Sequence, residues 1–166
     1  DGILLITKSN LSESNSYYAQ GGIVAVLNDN KNDSVEKHVT DTIKAGVGLN
    51  DKKTVEYISK ISNDVINELI DFGVEFDKNS EGLINLTLEA AHSVRRILHV
   101  GGDATGKGIV EALIKKVKSD SNITVVENAM GVELLVNSEK TCKGLIIYNE
   151  LTNEHFMIEL GNNNKI

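Results

Sequence analysis

Proline and tryptophan are absent from this 166-residue chain, and cysteine occurs once, as Cys142. A single thiol excludes an intramolecular disulfide framework and suits a reducing compartment, so a cytoplasmic location is expected. Long hydrophobic runs are missing too, and nothing approaches the ~20 apolar residues that span a bilayer. Positive charge is in short supply: the net charge of −7 argues against nucleic acid as the main partner. The lack of proline, with abundant Asn and Lys, points to an AT-rich coding bias more than to a physical demand. The chain has neither a Met-led start nor a basic signal-peptide region; Asp1-Gly2-Ile3-Leu4-Leu5-Ile6 reads as a chain cut into a strand. What is present is ordinary for a soluble globular chain, 40 % apolar and 25 % charged, with length enough for one domain and a core.

The short β-branched run at residues 3–6 predicts a buried strand, followed by a polar loop. Residues 14–22 are small and polar, and residues 23–27 are apolar. Two helices are expected next. Asp33 or Ser34 can cap the first, with Glu36 placed to complete a capping box from Asp33. Val35, Val39 and Ile43 recur at fourfold spacing, and Gly46 or Gly48 ends that helix. The second starts near Asp51, carries the stripe Val55, Ile58, Ile61, Val65, Ile66, Leu69 and Ile70, and stops at Gly73. Ile109, Val110, Leu113, Ile114 and Val117 mark a third helix, for which Thr105 is the expected N-cap. Residues 123–127 then form the second half of a βαβ unit. Residues 132–136, 145–148 and 156–160, separated by turn-forming clusters, predict an antiparallel meander, with a frayed end from Gly161 to Lys165.

Three segments can carry chemistry. Gly101-x-x-x-x-Gly106-Lys107 imitates a P-loop, but Gly108 stands where a Ser or Thr must hold Mg²⁺. Glycines for a tight turn, with Thr105 capping a helix, explain it better, although such a helix start can still face an anion. Residues 14–22 have the composition of a phosphate-cradling loop, since small side chains let backbone N–H groups approach an anion. Glu89, His92, Arg95, Arg96 and His99 cluster densely enough to bind a dicarboxylate, because Arg pairs with carboxylates through a bidentate fork. On the residues alone, an ion-paired surface turn is the better explanation. His38 and His155 stand apart and are expected to face solvent, Cys142 reads as structural, and no spacing suggests a metal site.

Two signatures carry a resemblance. Ser16-Tyr17-Tyr18-Ala19-Gln20-Gly21-Gly22-Ile23 is one; His92-Ser93-Val94-Arg95-Arg96-Ile97-Leu98-His99, followed by Asp103-Ala104-Thr105-Gly106, is the other. In this order and spacing they resemble the flavoprotein family of L-aspartate oxidase and the flavoprotein subunits of succinate dehydrogenase and fumarate reductase. Thr87-Leu88-Glu89-Ala90-Ala91-His92-Ser93 is similar to the L-aspartate oxidase type, although Leu88 departs from the basic residue usual there.

The resemblance implies an α/β fold: a partial Rossmann-like FAD-binding domain with an inserted helical segment and an antiparallel β-meander. Residues 1–33 would hold the second strand and the flavin loop. Residues 34–106 would hold the helical segment and substrate-side loop, and residues 107–166 the helix, strand and meander. It implies FAD as cofactor, contacted by Lys8, Asn15, Ser16, Tyr17, Tyr18, Ala19, Gln20, Gly21 and Gly22, with Met130 meeting the adenine through backbone. It also implies that Glu89 recognises the α-ammonium of L-aspartate, that His92 helps bind the dicarboxylate, and that residues 103–106 shape the turn near the flavin. The reaction implied is oxidation of L-aspartate to iminoaspartate, with oxygen or fumarate as acceptor, feeding quinolinate and NAD biosynthesis.

The Gly-x-Gly-x-x-Gly turn of such enzymes does not occur in this sequence. Neither the family's catalytic arginine nor its capping-domain histidines are matched, so no catalytic residue is assigned here. The chain is expected to be an internal piece without turnover, doubtful in its own hold on FAD. A parallel strand without neighbours also exposes an edge, so partial rearrangement or self-association is expected; a monomeric, sharply melting species in sedimentation and thermal unfolding would count against it. Two alternatives stand: a succinate or fumarate flavoprotein, and a non-enzymatic α/β interaction module.

Overall fold

The computed structural model describes residues 2–160; the expected frayed end at residues 161–165 lies outside them. The chain runs β1 (Ile3–Ile6), β2 (Ile23–Val24), α1 (Val35–Ala45), α2 (Lys52–Asp71), β3 (Ile97–Leu98), α3 (Thr105–Ser119), β4 (Ile123–Val126), β5 (Ala129–Val136), β6 (Cys142–Asn149) and β7 (Glu154–Glu159). It divides into two compact units, one made of Asp1–Ser14 with Val117–Ile166, the other of Asn15–Lys116. The architecture is α/β, as expected.

In the first unit β1 and β4 pair in parallel, Ile3 opposite Ile123 and Ile6 opposite Val126. β5, β6 and β7 form the antiparallel meander. Its turns are built by side-chain amides: Asn137 Oδ1 accepts from the N–H of Glu139 and Thr141, and Asn149 Oδ1 from Leu151 and Thr152. The expected burial of β1 is not found. Ile3 is 58 % exposed and Leu4 41 %, because β4 is the one strand paired with β1 among the described residues.

The second unit holds the larger core, Ala25, Ile66, Val74, Phe76, Leu98 and Ala112, with Ile23, Leu69 and Ile109 packed against it. β2 and β3 are a two-residue antiparallel pair, Ile23 opposite Leu98. Ser34, not Asp33, caps α1, its Oγ accepting from Lys37 N–H at 3.3 Å. Val35, Val39 and Ile43 line an open groove of about 590 Å³ shared with Lys52 and Glu56 of α2. His38, expected in solvent, is instead the buried residue of α1.

Asp51 caps α2 through Thr54 N–H at 2.7 Å, and Gly73 takes a left-handed φ of 98° just past its end. The buried side of this helix is Ser59, Ser62 and Ile66, whereas Ile58 and Val65 are exposed. The reason is a polar bridge between helix and chain. Ser62 Oγ accepts from Val26 N–H at 3.0 Å and donates to Ser59 C=O at 2.8 Å, so a small hydroxyl lets the helix approach the segment after β2. Thr105 does not cap α3 either: it is the helix's first residue, and its hydroxyl is used elsewhere.

Candidate functional site

Residues 15–22 fold onto the start of α3. Ala19 N–H donates to Ser16 C=O at 3.2 Å, and Ala19 C=O accepts from Gly106 N–H at 3.1 Å. The Thr105 hydroxyl accepts from Val100 N–H at 3.1 Å and donates to Gly21 C=O. This explains the side chain that sequence reasoning assigned to a cap: it ties two loops together. Glycine is required twice for close approach. A Cβ on Gly106 would stand 2.7 Å from Ala19 O, and one on Gly22 would stand 2.7 Å from Leu98 O and 2.9 Å from His99 Cε1.

With its carbonyls turned to α3, the loop leaves the N–H groups of Gln20, Gly21 and Gly22 without an acceptor among the described residues. A cavity of about 260 Å³ adjoins them, lined by Ser16, Ala19, Gln20, Thr105, Gly106 and Ile109. Three neighbouring free donors beside a helix N-terminus suit an anionic or carbonyl-rich group. The cavity takes one such group, not a whole dinucleotide. The ring of Tyr17 packs edge-on to Tyr18 at 5.3 Å, and its hydroxyl lies 3.3 Å from Glu111 Oε1.

Lys8 and Met130 belong to the first unit. There Ala129 N–H donates to Thr7 C=O at 2.9 Å and Asn128 N–H to Ser9 C=O at 3.3 Å, so the backbone flanking Lys8 meets the start of β5.

The second cluster divides in two. Arg96 and Asp33 have fully buried side chains. Arg96 Nε and Nη2 reach the two Asp33 oxygens at 2.8 and 2.7 Å, and Nη1 reaches Asp41 Oδ2 at 2.6 Å. Nη1 also lies 3.2 Å from His92 Nδ1, which must therefore accept. The Asp33 fork holds Arg96 above its ordinary pKa against the opposing effect of burial. Burial works to raise Asp41, but Ser93 N–H, Arg96 and the Ser93 hydroxyl outweigh it and hold the carboxyl at about 2. His38, its ring 5.6 Å from that of His92, is pushed down chiefly by burial and then by Arg96 and His92. The expected surface turn is thus ion-paired but buried at Arg96.

Glu89 belongs to the other half. Its Oε1 lies 3.1 Å from Thr87 Oγ1 and 3.0 Å from His99 Nε2, and its side chain is 49 % exposed. Glu89 and His92 share a turn, His92 N–H meeting Glu89 C=O at 3.3 Å, but their side chains serve different partners. Arg95 is exposed, and its carbonyl accepts from Asn30. Asp41 was not singled out from sequence, and Asp33, Thr87 and Ser93 were named only as a cap candidate or within a signature, without these partners. One signal was available: an arginine directly before Ile97-Leu98 demands a buried carboxylate. Asp77 was missed as well; its carboxylate accepts from Gly101 and Gly102 N–H at 2.8 and 2.9 Å. Among the described residues, no group of three or more His, Cys, Asp or Glu gathers to hold a metal, and no helix is long and apolar enough to cross a membrane.

Residues 2–162 match the family described as FAD binding domain. L-aspartate oxidase of Clostridium acetobutylicum is 42 % identical over 142 residues, covering 86 % of this chain and 32 % of that protein. The Bacillus subtilis enzyme of the same name is 38 % identical over 144 residues, covering 87 % and 26 %. The chain therefore spans about a quarter to a third of the length of these relatives. Among solved structures, Mycobacterium smegmatis Sdh1 superposes with a TM-score of 0.81 at 27 % identity, over 95 % of this chain and 28 % of that one. The E. coli quinol fumarate reductase FrdA gives 0.83 at 23 %, over 95 % and 26 %, a likeness of fold. The chain belongs to the FAD binding domain family, with FAD as the family's cofactor, and is similar in sequence to proteins named L-aspartate oxidase and in fold to Sdh1 and the quinol fumarate reductase.

Proposed function

We propose that this chain supplies part of the flavin site and part of the substrate site of an enzyme that oxidises L-aspartate to iminoaspartate. The observation that carries the reading is Glu89, an acceptor presented half in solvent within the same unit as the 15–22 loop. A carboxylate there attracts the α-ammonium of an amino acid and repels a plain dicarboxylate, an effect that grows as water is excluded. Similarity to proteins named L-aspartate oxidase supports the same choice over a succinate or fumarate enzyme.

In this reading the N–H groups of Gln20, Gly21 and Gly22, with Asn15, Ser16, Tyr17, Tyr18 and Ala19, hold the flavin end of FAD, while Lys8 and Met130 serve its adenosine end. Held there, FAD would supply the two-electron oxidation of the substrate. Glu89 orients the ammonium, and His92, whose Nδ1 is committed to Arg96, has its other ring nitrogen for a substrate carboxylate. Oxygen or fumarate would be the electron acceptor. A cytoplasmic place, a role in quinolinate and NAD synthesis, and the division at residues 33 and 106 belong to the same proposal. Exposed Ile3, Leu4, Leu134 and Val136 support self-association of the isolated chain.

Titrating FAD into the purified chain, read by flavin absorbance and fluorescence, tests the loop. Where the chain holds FAD, saturable binding should weaken on changing Asn15 and Ser16 to Ala. Binding that ignores those changes would remove the loop from the flavin site.

A further inference from the structure

The half-buried group at Glu89 has more order than a surface carboxylate needs. Thr87 Oγ1 lies 2.8 Å from His99 Nε2 and 3.1 Å from Glu89 Oε1, and His99 Nε2 lies 3.0 Å from that same oxygen. An ionised carboxylate only accepts, and the threonine hydroxyl has one proton to give. If that proton goes to Glu89, both contacts of His99 Nε2 require a hydrogen on Nε2. The other ring nitrogen, Nδ1, is buried and meets no partner. A second proton there would be a buried, unsatisfied donor carrying charge, the costlier state.

Two further features lock the ring and the carboxylate. His99 Cε1 sits against Gly22, where any side chain would collide with it, so the ring joins the 15–22 loop to Glu89. Ala90, the residue after Glu89, has a left-handed φ of 49°, a strained state for a residue with a Cβ. Oε2 of Glu89 has no partner among the described residues.

We propose that His99 is a positioning residue: as a neutral Nε2–H imidazole it holds Glu89 Oε1 together with Thr87, and leaves Oε2 as the oxygen offered to a cationic group of the ligand. Its meaning for substrate choice rests on the reading of Glu89 given above; the ring's protonation does not. The device fixes which carboxylate oxygen is open and at what distance from the 15–22 loop.

Long-range nitrogen–proton NMR correlations on the nitrogen-labelled 166-residue chain at neutral pH test it, with a His99→Gln variant identifying the signals. The expected pattern is a protonated, pyrrole-type Nε2 and a bare, pyridine-type Nδ1 at His99. In Glu89→Gln, whose amide oxygen still accepts, the pattern should persist. In the Thr87→Val, Glu89→Ala double variant, checked as folded by its backbone amide spectrum, the ring should average between tautomers. A reversed, averaged or doubly protonated ring in the unaltered chain would overturn the proposal, as would an unchanged pattern in the folded double variant. The same sample titrated with FAD separates the two ideas. A fixed Nε2–H ring with flavin binding that ignores the Asn15→Ala and Ser16→Ala changes sinks the loop assignment alone, and an averaging ring with flavin binding that weakens on those changes sinks this one alone.

Discussion

Arg96 and Glu89 belong to one short segment, yet the first is fully buried among Asp33, Asp41 and His92 while the second keeps 49 % of its side chain in solvent. The Arg96 cluster brings together charges far apart in sequence, since Asp33 and Asp41 stand 63 and 55 positions away. The Glu89 cluster is local and leaves an oxygen open. A dense patch of charged residues therefore does two jobs: one part fixes α1 and the chain before it to the segment, and the other is left able to meet a ligand.

The sharpest way to break the comparison is Arg96→Ala. Removing one partner strands the buried Asp33 carboxylate, so a loss of about 3–5 kcal/mol is expected in urea unfolding. A loss under ~1 kcal/mol would mean that the pair is not desolvated. Acid should come next. Asp41 is held at about 2, below its ordinary 3.8, so its contribution is present above pH 3.8 and is lost as pH falls toward 2. Unfolding midpoints measured across that window should fall in the unaltered chain and fall less in Asp41→Asn. The smallest effect on stability belongs to Glu89→Gln, within about 0.5 kcal/mol because the side chain is half exposed. Under the proposed function, the same change in the full-length protein should lower kcat/KM for L-aspartate by roughly tenfold or more, about 1.4 kcal/mol of transition-state binding.

The helices and the meander were legible because periodicity and turn chemistry are local. α2 shows where that reading stops. Its apolar stripe is wide enough to offer two faces, and the choice fell to Ser59 and Ser62 because Val26 N–H needed an acceptor. His38 was misplaced for a similar reason: its burial comes from the Arg96 cluster, assembled by distant carboxylates that no spacing rule connects. Thr105 carried the expected chemistry but spends it on Val100 and Gly21. At the candidate site, the 15–22 loop and Glu89 were visible by resemblance, whereas Thr87 and His99 as partners of Glu89 required the bridge between Thr87 and Ile97 that brings them together.

The Asp77 carboxylate seated on Gly101 and Gly102 has one more consequence. Both glycines have positive φ, 58° and 79°, and their N–H groups face the kind of anion a phosphate would be. The chain carries its own counterfeit phosphate in the turn that imitates a P-loop. A free nucleotide would have to evict a carboxylate already seated on both N–H groups. The donors of this turn are thereby occupied from within the chain, whereas the N–H groups of residues 20–22 have no such resident among the described residues.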